Sequence, residues 1–149
     1  LKIVEQNFVN KDDFSNFRNS ELFEIETIEK QFRKSLNTFI DLCVQWEVEP
    51  ILMTQFNRVN NNDELFVRTF EQDKSKLYEQ HYKRLNDVIR EVSKNRQVDL
   101  IDLATLIPSS SDYIYDVFHL NEQGSELVAE TLTSYWIEKL KLKRKNLVK

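Results

Sequence analysis

The 149-residue sequence predicts an α/β fold built on a parallel sheet. Three observations carry that expectation. Two amphipathic stretches have a helical period, a short apolar run follows each of them, and a further helical stretch follows a polar loop. This alternation is the pattern of βαβ construction, in which a helix returns the chain from the end of one strand to the start of a parallel neighbour.

The opening segment LKIVEQNFV (1–9) is read as a further strand or an edge remnant of one. A helix is expected from Ile28 to Glu47, because Ile28, Phe32, Leu36, Phe39, Ile40, Cys43 and Val44 recur at spacings of three and four. Pro50 stops it, and PILMT (50–54) reads as a strand buried on both faces before the polar loop QFNRVNNND (55–63). A second helix is expected over Gln72–Lys94, with Leu77, Leu85, Val88, Ile89 and Val92 as its apolar side. VDLIDL (98–103) is the second short strand, and PSSSD (108–112) is a turn-rich connection. Leu127, Val128, Leu132, Tyr135, Trp136 and Leu140 mark the final helix, and Trp46 and Trp136, at apolar spacing, are read as core. With no repeat, linker or low-complexity stretch, residues 1–149 form one domain.

Composition narrows the classes. Hydrophobic residues make up 40% and charged residues 31%, a globular rather than a disordered balance. No run of about 18 apolar residues is present to span a membrane, and the N-terminal segment has no signal-peptide pattern. The chain begins at Leu1, has Met53 as its one methionine and Gly124 as its one glycine, where roughly 7% glycine is usual. A partial domain is therefore expected, with N-terminal strands and glycine turns upstream. Cys43 has no disulfide partner, which fits a reducing, cytoplasmic setting. The net charge is −4, and KLKLKRKNLVK (139–149) carries six cations. These are read as the dipole-favoured end of a helix, so no nucleic acid partner is expected.

In an open parallel sheet, functional groups collect beyond the C-terminal ends of the strands, here the loops after Thr54 and Leu103. The second loop leads into DVFHLNEQG (116–124). Asn121 is placed to cap the last helix, and Gly124 permits close approach of another segment. Asp116, three residues before His119, can fold back to accept the imidazole Nδ1–H, leaving Nε2 as a base. Together they suggest acid–base chemistry at Asp116 and His119.

The string DxxHLNxxG, after LIDL and before SELVAETL, closely resembles the final block of the SGNH hydrolases, the GDSL-like lipase/esterase family. PILMTQFNR and YEQHYKRLNDVIREVSKNRQVDLIDL resemble the segments that precede that block. The resemblance implies a three-layer α/β/α domain with a parallel, flavodoxin-like sheet. It also implies hydrolysis of an acyl or acetyl ester, with a small-molecule or glycan ester as substrate and no cofactor. His119 matches the general base and Asp116 its orienting acid. The family's G-D-S nucleophile block and G-x-N-D oxyanion block are absent, so the chain matches the Asp–His half alone and is expected to be inactive as given.

Bland readings accompany the remaining candidates. Ser109, Ser110 and Ser111 are turn residues, and His81 is a partly exposed helical histidine. Asn57 and Arg58 stand where substrates bind, though Arg58 is read first as a solvated loop residue. A metal site from His81, Asp112, Asp116 and His119 lacks the short ligand spacings of common zinc sites, so none is expected. The alternative functions are a non-catalytic α/β module binding a glycan or protein partner, and a basic-tailed adaptor.

Overall fold

The structure, a computed structural model, describes residues 25–59 and 72–147. The elements are α1 (Ile25–Gln45), β1 (Ile51–Met53), α2 (Gln72–Arg96), β2 (Asp99–Ile101), α3 (Leu103–Leu106) and α4 (Glu122–Leu147). β1 and β2 pair in parallel, with Ile51 opposite Asp99, Leu52 opposite Leu100 and Met53 opposite Ile101. The alternation of helix and strand thus stands. The expected three-layer α/β/α domain with a flavodoxin-like sheet does not: the described residues are mostly helical, and their sheet is two strands of three residues.

The physical reason lies at the strand ends. The expected strand over 98–103 stops at Ile101, because the Asp102 carbonyl accepts the N–H groups of Thr105 and Leu106 and starts a helical turn. Beyond β1, the Gln55 backbone leaves the ladder to pair with a side chain. The Asn86 amide accepts the Gln55 N–H at 2.8 Å and donates to the Gln55 carbonyl at 2.9 Å. Segment 1–9 and residues 60–63, also read as strand and loop, lie outside the described residues.

Strand alternation divides the core in two. Leu52 and Leu100 turn toward α1 and α2, packing with Ile40, Val88, Ile89 and Val92. Ile51 and Ile101 turn the other way, joining Leu103, Ile107 and Ile114 under Leu127, Val128 and Leu132 of α4. Helices α1 and α2 run side by side in the same direction, since Glu29 pairs with Arg84, Arg33 with Glu91 and Asp41 with Arg96. Helix α4 runs against the strands: Lys139 reaches Glu49 and Asp99, and Lys143 reaches Glu49, all near the strand starts. Two cations of the basic tail are therefore absorbed in ion pairs.

The two tryptophans are a correction to the expected core. Trp46 is 76% exposed and Trp136 47% exposed. Trp46 falls in the turn beyond α1, where no element among the described residues covers it. Trp136 sits a helical step from the core-facing Tyr135, edge-on to that ring, with the Lys139 ammonium over it at 5.8 Å. Phe39, Val44 and Leu140, also on the expected apolar stripes, are exposed as well.

How a chain with one glycine ends its helices is visible at two positions. Glu47 (φ 57°) and Gln97 (φ 54°) take the left-handed conformation that usually favours glycine. Each closes a Schellman turn: Val48 N–H donates to Cys43 O after α1, and Val98 N–H to Ser93 O after α2. The backbone bonds hold both residues against the steric cost of their Cβ atoms.

Where the strands end, Asp102 gathers the pieces. Arg90 of α2 donates to both its carboxylate oxygens at 2.9 Å, and the buried Thr54 hydroxyl donates to Oδ1 at 2.6 Å. Thr54 Oγ1 in turn accepts the Ala104 N–H at the start of α3. The Arg90 guanidinium beside Asp102 holds its carboxyl down to about 2, overcoming partial burial, with help from the Thr54 and Thr105 hydroxyls.

Two measurements check this account. Gln97→Gly relieves the left-handed strain and raises the unfolding free energy by roughly 0.5–1 kcal/mol, the relief exceeding glycine's extra unfolded-state entropy; a destabilised variant would show that the Gln97 side chain holds the turn. Asp102 is less protonated folded than unfolded, so its stabilisation is present above its unfolded value of 3.8 and is lost as pH falls through about 2. Denaturant unfolding from pH 5 to pH 2 should show a loss of about 2 kcal/mol attributable to this group, a loss that Asp102→Asn no longer shows.

Candidate functional site

The second core cluster ends in the loop that carries Asp116 and His119. An isolated antiparallel bridge between Ile114 and Leu120 closes this loop, and the Tyr115 N–H donates to the His119 carbonyl at 3.0 Å. Inside it, Asp116 Oδ1 accepts the backbone N–H groups of Phe118 (2.9 Å) and His119 (2.8 Å). This Asx-type turn leaves Oδ2 free to face the imidazole.

The imidazole Nδ1 lies 2.7 Å from Asp116 Oδ2. An ionised carboxylate only accepts, so Nδ1 is the protonated nitrogen and Nε2 presents its lone pair. Partial burial pushes the Asp116 carboxyl up, but the His119 backbone and ring donors and the Phe118 N–H outweigh it and hold the group below the usual carboxylate range. Asp116 therefore stays ionised near neutral pH. The His119 side chain is 54% exposed, and among the described residues Nε2 has no hydrogen-bond partner.

Three ties hold the loop. Asn121 caps α4 through Oδ1, which accepts the Gly124 N–H at 2.9 Å, while its amide donates to the carbonyls of Ser111 (3.1 Å) and Asp112 (2.8 Å). Gly124 brings the first turn of α4 onto the Tyr113 carbonyl: a Cβ at this position would lie 2.0 Å from that backbone oxygen. No other residue fits without moving the chain. The third tie is Arg58, whose N–H donates to Val117 O at 2.8 Å and whose guanidinium donates to Ile114 O at 3.1 Å.

Arg58 is thus half-buried and bonded to the loop, not the solvated residue that the sequence suggests. It stands at the end of a relay from α2, because Asn86 fixes Gln55 three residues before it. No spacing rule reveals this tie. The one available signal was the position of Arg58 just beyond the first strand. Half-buried Tyr82 of α2 also lies near enough for the Asp116 charge, after burial, to raise its phenol.

None of the other candidates is hydrogen-bonded to the side chain of Asp116 or His119 among the described residues. Ser110 lies in the turn where Tyr113 and Ile114 donate to its carbonyl, and Ser109 and Ser111 flank it. His81 is half-buried on α2, where burial and Arg84 lower its pKa. Asn57 Oδ1 accepts the Val59 N–H at 3.1 Å. Among the described residues no three His, Cys, Asp or Glu side chains converge as a metal site requires. A cavity of about 460 Å³ opens between β2 and α4, lined by Leu100, Asp102, Leu106, Leu127, Tyr135 and Glu138, apart from Asp116 and His119.

No family model matches the chain, and no curated protein or solved structure is significantly similar to it. No helix among the described residues is long and apolar enough to cross a membrane. The site therefore rests on its geometry. That geometry is testable by nitrogen NMR of neutral His119, which should show the Nδ1–H tautomer in the wild type and mainly the Nε2–H tautomer in Asp116→Asn, whose amide can donate to Nδ1. A wild-type ring protonated on Nε2 would rule out the pairing.

Proposed function

We propose that this chain carries the Asp–His half of the catalytic triad of a serine ester hydrolase of the SGNH type. The observation that supports the reading is the 2.7 Å contact between Asp116 and His119 Nδ1 on a loop tied down from α2 and α4, with Nε2 open to an incoming group. In this reading Nε2 takes the proton of a serine hydroxyl as that oxygen attacks an acyl ester. Asp116 holds the ring in register and stabilises the imidazolium, and Nε2 then returns the proton to the leaving alcohol.

The reading requires a nucleophilic serine on a glycine-containing turn. Gly124, the chain's one glycine, stands in α4 against Tyr113, so the serine comes from a segment beyond these 149 residues. A second reading, a non-catalytic module for a glycan or protein partner, draws support from the exposed rings of Tyr115 and Phe118 beside the histidine.

Turnover separates the two. The protein encoded by the whole natural gene should hydrolyse 4-nitrophenyl acetate, with kcat/KM falling about 10³-fold or more in His119→Ala and about 10²–10⁴-fold in Asp116→Asn. A folded protein inert toward acetyl and butyryl esters, or a His119→Ala variant with wild-type rates, would overturn the esterase reading.

A further inference from the structure

Helix α4 carries apolar residues on two sides. Leu127, Val128 and Tyr135 pack on the second core cluster. Trp136, Ile137 and Leu140 are exposed by about half. Helical geometry sets these three within about 100° of one another, roughly opposite the core-facing side. From them run two rows at four-residue spacing, and each ends in cations: Leu140 leads to Arg144, and Ile137 leads to Lys141 and Lys145. All three cations are exposed, and none has an ion-pair partner among the described residues. Lys139 and Lys143 already pair with Glu49 and Asp99, while Glu130 and Glu138 line the cavity beside β2. Among the described residues, the outer face of α4 thus joins unpaired positive charge to uncovered apolar surface.

We propose that this face of α4 docks on the surface of an anionic lipid bilayer. The inference is independent of the esterase reading. A headgroup layer offers both things the face requires: phosphate oxygens for the cations and, just beneath them, acyl methylenes for Ile137 and Leu140. An indole settles at that boundary, and the long stems of Lys and Arg let their charges reach back to the phosphates. Duplex nucleic acid would meet the cations but leave the three apolar side chains in water. A second copy would cover the apolar side chains but bring the same cations, and no acid, to the face. The contact lies along the surface, since no helix among the described residues is long and apolar enough to cross a membrane.

The test measures co-sedimentation of the protein of the whole natural gene with vesicles. Phosphatidylcholine vesicles holding roughly one-third phosphatidylserine should bind it about tenfold or more tighter than pure phosphatidylcholine. Lys141→Gln/Arg144→Gln/Lys145→Gln should weaken binding to the anionic vesicles about 10²-fold, close to fivefold per cation. Trp136→Ser/Leu140→Ser, which keeps every charge, should weaken it about tenfold or more. Circular dichroism confirms folding in each case. The fluorine NMR signal of fluorotryptophan at position 136, identified by its loss in Trp136→Phe, should broaden with a spin-labelled lipid. No binding to the anionic vesicles, equal binding to both kinds, full binding by either variant, or an unbroadened signal would overturn the inference. So would a dimer that Trp136→Ser/Leu140→Ser dissociates, which assigns the face to a second copy. Duplex DNA binding that this variant retains would overturn it as well, assigning the cations to nucleic acid.

Discussion

The Asp102 carboxylate is the constraint on which the architecture turns. It sits where both strands end, accepts two hydrogen bonds from Arg90 of α2 and one from the Thr54 hydroxyl beyond β1, while the backbone carbonyl of the same residue starts α3. Bidentate pairing fixes direction as well as distance, which a single hydrogen bond does not. With its side chain about one-third exposed, the pair loses less to desolvation than a fully buried one would, while Thr54, 2% exposed, satisfies the part that is turned inward. The strands stay short because the residue that would extend β2 is occupied in joining four elements.

From that junction the chain reaches the loop of Asp116 and His119 through two supports of different origin. One comes from α2 by way of Asn86, Gln55 and Arg58; the other comes from α4 by way of Asn121 and Gly124. Both act on backbone carbonyls of residues 111–117. Anchoring through the backbone lets the side chains of Tyr115, Phe118 and His119 remain in solvent without loosening the loop. A loop held by core burial would have to hide those rings. The Asp116–His119 pair therefore combines a fixed tautomer with an open Nε2, the two properties that a general base needs together.

Much of this was legible. The helical stripes of α1 and α2 were visible because Phe32, Leu36, Ile40, Val88, Ile89 and Val92 meet one another directly across the helix pair and over Leu52. The Asn121 cap, the close approach at Gly124 and the fold-back of Asp116 onto His119 were visible because each is settled within about ten residues. The extent of the sheet was not, because Asp102 reads as part of an apolar run until Arg90 and Thr54 claim it. Nor was the exposure of Trp46 and Trp136: a periodic pattern marks where apolar side chains recur, but burial depends on whether another element arrives to cover them. Nor did the sequence reveal that Glu47 and Gln97 would end two helices in the left-handed conformation that glycine usually takes, because the Schellman bonds that hold them there form only once the helices do.

By itself the sequence determined the order of helix and strand, the short turn that joins a carboxylate to an imidazole, and the single position where only a hydrogen fits in place of a side chain. These follow from local periodicity, hydrogen-bonding reach and steric size. Tertiary structure alone decided that the strands end at three residues, that Arg58 and Asn86 brace the loop, and that Tyr115 and Phe118 stand exposed beside its histidine. Those outcomes depend on partners from other elements, 12 residues away for Arg90 and Asp102, 31 for Gln55 and Asn86 and 56 for Arg58 and Ile114, and on which of the described elements covers a side chain, and such neighbours are set by the path of the folded backbone.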